Sequence, residues 1–276
     1  METYSSKSNA PTANFPTMFD LATVLLAAVG VLFIGFSKAG FGGGLGMLTT
    51  PICVLAFSAK GKEPSYTIGI LLPLLCAGDA FSIYHYWGKW QRNNLKYLLP
   101  GVIVGVIAGV NLIGRFTNRE LNVAIGLLAI FFVVFQFIKD KIYRAEGAFS
   151  PSHATGVPFG IGAGITSTFA HGAGPLVSMF LIPQKMPKEI FVGTSVLVFT
   201  WVNLIKVPFF TYKGIINRET LLTGLYYFPL VPIGVWLGVW LNRRVSEPLF
   251  LKLVYGITLA AGLQLVFNFD LGNLLR

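Results

Sequence analysis

Five ionisable side chains stand inside or beside long apolar runs, where a charge is costly enough to mark a functional candidate. Lys206 falls in the middle of the apolar stretch 189–211, too far from either end to snorkel, and Asn203 lies one helical turn before it on the same face. The lysine either holds an anionic substrate or pairs structurally with Asp79, which is equally deep in the stretch 65–86. Asp79 in turn reads either as a proton or cation site or as that ion-pair partner, and the two roles are compatible, since a buried carboxylate beside an ammonium can load and unload a proton. His171 adjoins Gly172 and Gly174. It is either a helix-terminal histidine bonded to backbone or a group for proton coupling or anion contact. Lys38 reaches a cavity or a lipid headgroup, and His85, surrounded by Tyr84, Tyr86 and Trp87, reads as structural.

Neutral donors gather near these charges. The cluster Gly40, Gly42, Gly43, Gly44 and Gly46, followed by Thr49, Thr50 and Pro51, lies inside an apolar run from Met18 to about Phe57. About 20 apolar residues span the hydrocarbon core, so this run is too long for one crossing and the glycines mark a break. Open backbone is tolerated at membrane depth only where it is buried in protein or lines a wet cavity. Hydroxyls collect at this break and near Gly172: Thr166, Ser167 and Thr168, then Ser178, then Thr194 and Ser195. They either back-bond to helix carbonyls or serve a ligand. A small oxyanion suits the set, because half-helix N-termini and glycine amides donate to its oxygens and one lysine offsets its charge. The candidate anion-binding residues are Gly40, Gly42, Gly43, Gly44, Thr49, Thr50, Pro51, His171, Gly172, Gly174, Ser178, Asn203 and Lys206, with Asp79 and His171 as candidates for proton coupling.

The elements that must position these groups are transmembrane helices. Of 276 residues 54% are hydrophobic and only 12% charged, against roughly 25% charged in soluble domains. The chain therefore reads as an all-α polytopic membrane protein in contact with lipid. Its formal charge of +10 falls mainly between apolar runs, as suits loops facing anionic headgroups. The absence of a continuous basic stripe argues against nucleic acid as a partner. Cys53 and Cys76 lie in apolar segments and read as packing residues. No CxxC or His/Cys cluster is present, so no metal or cofactor is expected. HExxH, GxSxG and P-loop motifs are also absent, which points away from an enzyme. Uphill movement of a solute must then be driven by a gradient or a partner.

The apolar segments form two similar sets, about 18–139 and 153–268, between a polar N-terminal tail (1–17), a linker (140–152) and a C-terminal tail (269–276). The N-terminal tail, rich in Ser, Thr, Asn and Pro, reads as disordered. Ser37, Lys38 and Ala39 loosely fit a signal-cleavage pattern, but the apolar stretch resumes beyond them and the first segment is expected to be retained. Gly40, Gly42 and Pro51 recur as Gly172, Gly174 and Pro183; Pro100, Gly105 and Gly109 recur as Pro229, Gly234 and Gly238, each at the same internal spacing. Gly126 and Gly256 occupy similar places in the last segment of each set. Three matches in one order argue for an internal repeat. Each unit holds either five crossings or three crossings plus a re-entrant pair, and both counts are odd. The expected fold is an inverted-topology tandem repeat with about eight spanning helices plus broken or re-entrant glycine-rich segments. Sorting loop Lys and Arg by alternate sides weakly puts the termini outside. Gly101, Gly105 and Gly109 line one helical face suited to close approach of a neighbour, and Trp87 and Trp90 read as an interfacial anchor.

The glycine cluster 40–46 with Pro51, its echo at Gly172, Gly174 and Pro183, and the run Gly193, Thr194, Ser195 through Asn203, Lys206, Tyr212 and Gly214 together resemble the sulfite exporter TauE/SafE family over nearly the whole chain after the N-terminal tail. The resemblance implies a bacterial-type inner-membrane secondary transporter that exports a small sulfur-containing anion, sulfite or an organosulfonate, coupled to protons or another ion. The second motif departs from the glycine-rich form at His171, Ala173 and Pro175. A homodimer is left open. The rival readings are a passive anion channel, for which a ring of repeated charges would speak, and an intramembrane enzyme or assembly partner, for which His171 near Ser167 is the nearest to a nucleophile and base.

Overall fold

The computed structural model describes residues 19–38, 46–143, 150–242 and 247–269, and every regular element among them is helical. The glycines at 40, 42, 43 and 44, both tails apart from Phe269, and residues 144–149 of the expected linker lie outside the described residues.

The first two helices form a hairpin. α1 (Leu21–Lys38) and α2 (Gly46–Ser58) run antiparallel: Lys60, just after α2, pairs with Asp20, just before α1, at 3.3 Å. Further along, the Cys53 thiol donates to the Ala27 carbonyl, and Gly46 lies beside Ser37. The chain thus returns to the face from which α1 started. A second hairpin follows α6 (His153–Ala170), where α7 (Gly174–Leu181) folds back along it, placing Leu176 against Gly162 and the Phe180 ring 6.1 Å from Phe159. With 13 and 8 residues, the returning arms span about 20 Å and about 12 Å, short of the roughly 30 Å hydrocarbon core.

The remaining elements are α3 (Pro64–His85), α4 (Arg92–Ile113), α5 (Asn118–Tyr143), α8 (Lys188–Tyr212), the broken pair α9 (Arg218–Tyr227) and α10 (Leu230–Asn242), and α11 (Glu247–Phe267). Among the described residues, five stretches are long and apolar enough to cross a membrane: Pro64–His85, Arg92–Ile113, Asn118–Ile138, Lys188–Tyr212 and Arg218–Gly238. The glycine breaks divide further apolar length between short arms. Leu21–Ser37, Gly46–Ser58 and Lys252–Phe267 are apolar but shorter.

Polar contacts gather the loops at two faces. At one, Lys62 pairs with Glu219 at 2.7 Å, and Glu63, Thr117 and Lys213 line a common cleft. At the other end of the 22-residue α3, Lys89 pairs with Glu189 at 3.0 Å and the Gln91 amide donates to Thr194. Trp87, 73% exposed, meets Trp90 edge to face at 5.6 Å there.

Close packing runs through glycine. Gly101, Gly105 and Gly109 face α6, where a Cβ would strike the Val157 carbonyl, the Ile161 carbonyl and the Thr168 side chain in turn. Gly156, Gly160 and Gly164 answer from α6 against Tyr97, Leu98 and Val102. Gly35 of α1 meets Gly234 of α10 in the same manner. The first helix of each set thus packs on the fourth segment of the other. Gly126 approaches the Gly262 carbonyl, whereas Gly256, its expected counterpart, borders open space.

Candidate functional site

The two hairpin tips meet. A cavity of about 40 Å³ is lined by Ser37 at the end of α1, Gly46 opening α2, Ser167 and His171 closing α6, Ala173 and Gly174 opening α7, and Asn203 of α8, with Ile34, Leu75, Phe199 and Val202 as apolar walls. That volume accommodates on the order of three waters, or one small anion.

Local structure turns amide groups toward this space. Pro175 follows Gly174 in the first turn of α7, where its missing N–H costs nothing because the first amides of a helix have no internal partner. Gly46 is likewise the first residue of α2. Two helix N-termini therefore converge on one cavity, and each carries the positive end of its dipole. The opposing negative end, that of α6, is occupied by donors: the Ser167 carbonyl takes the His171 amide at 3.0 Å and Lys206 Nζ at 3.2 Å. The Thr166 carbonyl takes the Gly172 amide, and the Ala170 carbonyl takes the Thr50 hydroxyl at 2.9 Å. His171 ends α6 in the left-handed conformation, φ 52° and ψ 29°, which is uncommon outside glycine and often found where a side chain must be aimed.

Lys206 is completely buried behind the cavity wall. Its ammonium donates to Ser167 Oγ at 2.9 Å and lies 2.8 Å from His171 Nδ1, with the Phe210 ring 5.9 Å away. Asp79 is near enough for the two charges to attract. His171 Nε2 meets the Ile68 carbonyl at 3.2 Å. Because that carbonyl only accepts, Nε2 carries the hydrogen and Nδ1 is the ring nitrogen that faces lysine. Asp79, also fully buried, accepts from the Asn203 amide at 2.6 Å.

Of the sequence-derived candidates, His171, Gly174 and Asn203 reach the cavity, and Lys206 contacts two of its lining residues. The other described candidates lie apart from its lining. Thr50 ties α2 to α6. Thr49 is buried with no partner among the described residues. Pro51 is buried within α2 and Ser178 is half-buried on α7. Gly172 is buried against Met47. Two hydrogen-bonded pairs form, Asn203 with Asp79 and Lys206 with His171, and the Lys206–Asp79 pairing that was one of the alternatives survives as attraction between the two charges. Ser167 belongs to the hydroxyl triplet before His171 that the sequence marks as serving either helix carbonyls or a ligand, whereas Ser37 was not a site candidate and Phe199 and Val202 look like any other apolar wall.

The site lies toward the face that carries Lys62 and Lys213. His171 reaches Ile68, about one turn into α3. A wider surface cleft of about 540 Å³ opens there between Glu63, Ser65, Phe116, Thr117 and Lys213. The Phe116 ring on its wall stacks at 5.5 Å on Phe169, two residues before His171.

The comparison with known families matches residues 26–265 of the sequence to a family model described as Sulfite exporter TauE/SafE. The chain belongs to that family, a family of membrane transporters of sulfite and related anions. No curated protein and no solved structure matches it.

Proposed function

We propose that this member of the sulfite exporter TauE/SafE family is a gradient-coupled secondary transporter that exports a small sulfur-containing anion, sulfite or an organosulfonate, through the inner membrane. The supporting observation is the setting of Lys206. A buried cation needs a counter-charge, and its partners among the described residues are a carbonyl, a hydroxyl and an imidazole. The neighbouring cavity receives two helix N-termini. An oxyanion held there takes the amides of Gly46 and Gly174 and the Asn203 amide, while Lys206 and His171 offset its charge. Glycines 40, 42, 43 and 44 precede Gly46 in the chain and belong to the proposed anion-binding set. Asp79 or His171 carries the coupling proton.

The architecture belongs to the same proposal. Each half consists of a re-entrant hairpin and three crossings: α1–α2 with α3, α4 and α5, then α6–α7 with α8, α9–α10 and α11. Two such units of odd count insert with opposite orientation, and the reciprocal packing of α6 on α4 and α1 on α10 supports a pseudo-two-fold relation. Rocking of one half against the other would then expose the cavity alternately to each side, and the cleft beside Phe116 offers one of the two approaches.

Uptake of radiolabelled sulfite into proteoliposomes, with and without an imposed pH gradient and with sulfoacetate and sulfate as competitors, tests this reading. Saturable accumulation above equilibrium is expected only with the gradient. Flux that merely equilibrates would identify a channel, and absence of flux for all three anions would remove the substrate assignment.

A further inference from the structure

The hydrogen-bond geometry around His171 limits how many protons the site can hold. Its Nε2 hydrogen is committed to the Ile68 carbonyl, and its Nδ1 faces Lys206 Nζ at 2.8 Å. Two nitrogens at that separation share one proton between them. Either the ammonium donates to a bare Nδ1, or a protonated Nδ1 donates to a neutral amine. Both arrangements carry one positive charge. A second proton sets N–H against N–H and adds a second positive charge to a buried cluster.

The lysine is sealed from the cavity while the imidazole lines it. His171 therefore stands between the fixed charge and any bound anion. If Nδ1 takes up a proton and turns away, the ammonium retains both Ser167 contacts, the carbonyl and Oγ. Lys206 is thus already provided with partners for the doubly protonated state.

Two other titratable groups face the pair. From α3 come Asp79, whose carboxylate is held by Asn203, and Cys76. The described residues of α1, α2, α6, α7 and α8 that line the cavity contribute serines, Gly46, Gly174, Ala173, Asn203 and apolar walls, none of which ionises. The side chain of Lys38 lies outside the described residues.

We propose that His171 and Lys206 form one proton-holding unit that carries a single positive charge when the cavity is empty and two when a divalent anion is bound, so that a dianion enters together with one proton. This rests on the anion-site reading above and assigns the coupling proton to His171 rather than Asp79. The proton comes from water on the loading side, forms an N–H bond at Nδ1, and returns to water when the anion leaves. The cargo then moves with a net charge of minus one, which the resident charge of the pair balances.

Calorimetric titration of the full chain in lipid nanodiscs with sulfite, above its second ionisation, in two buffers of different ionisation enthalpy, counts the protons bound. Wild type should take up about one proton per anion and His171→Asn about none. Asparagine tolerates the left-handed backbone of this position, and it should still bind the anion, more weakly. Saturable wild-type binding without proton uptake, or an undiminished proton count in His171→Asn, overturns the assignment while leaving the anion site standing. Absence of saturable binding by wild type overturns both.

Discussion

Lys206→Met should reduce sulfite uptake at least about 30-fold without lowering the melting temperature of the protein. Removing one member of a buried charge pair costs about 2–5 kcal/mol of binding, and each 1.4 kcal/mol or so is tenfold. The loss falls on the loaded state, where the lysine offsets the charge of the bound anion in addition to that of Asp79. For the empty protein the change is close to neutral: methionine fills similar volume, and replacing a buried charge with an apolar side chain is often neutral or stabilising. Ser167 Oγ and His171 Nδ1 lose a donor, but both line the cavity and can turn to water there. A purely structural lysine gives the opposite pattern, with the melting temperature falling and residual uptake tracking the folded fraction. Uptake in proteoliposomes and thermal unfolding in detergent, compared at equal reconstitution, separate the two.

The second large effect is on stability. Gly105→Val should abolish the folded protein, at a cost of about 3 kcal/mol or more, while Gly256→Ala should stay within about 0.5 kcal/mol of wild type. At Gly105 a Cβ strikes the backbone carbonyl of Ile161, so no rotamer change relieves it and α4 must separate from α6. That separation breaks the contact through which the α6–α7 hairpin is held, and with it the position of Ser167 and His171. At Gly256 nothing lies within reach of an added methyl. Melting temperature and the monodisperse fraction on size exclusion report both variants.

The polar part of the site was legible from sequence because the membrane makes polar residues conspicuous. Lys206, Asn203, Asp79 and His171 stand out within apolar stretches, and two of them line the cavity. Their partners were not legible. A shared depth in two helices suggested Lys206 with Asp79, but pairing depends on which faces the helices present. α8 sets Asn203 against Asp79 and turns Lys206 toward the end of α6. The glycine face of α4 could be read from its period of four, and the same period in Gly156, Gly160 and Gly164 would have named α6 as its partner. The match of Gly126 with Gly256 followed position in the repeat, whereas the actual contact, with Gly262, follows helix register. The hairpins were anticipated as one of two options. The choice between them rests on the lengths of α2 and α7, which hydropathy alone blurs because apolar residues continue through the turn.

Diffraction from crystals grown with selenite, a heavier analogue of sulfite, tests the central claim most directly through the anomalous signal of selenium. One peak is predicted in the cavity, within hydrogen-bond reach of His171, Asn203 and the amides of Gly46 and Gly174. A peak elsewhere, with this cavity empty and selenite still competing for sulfite transport, would contradict it.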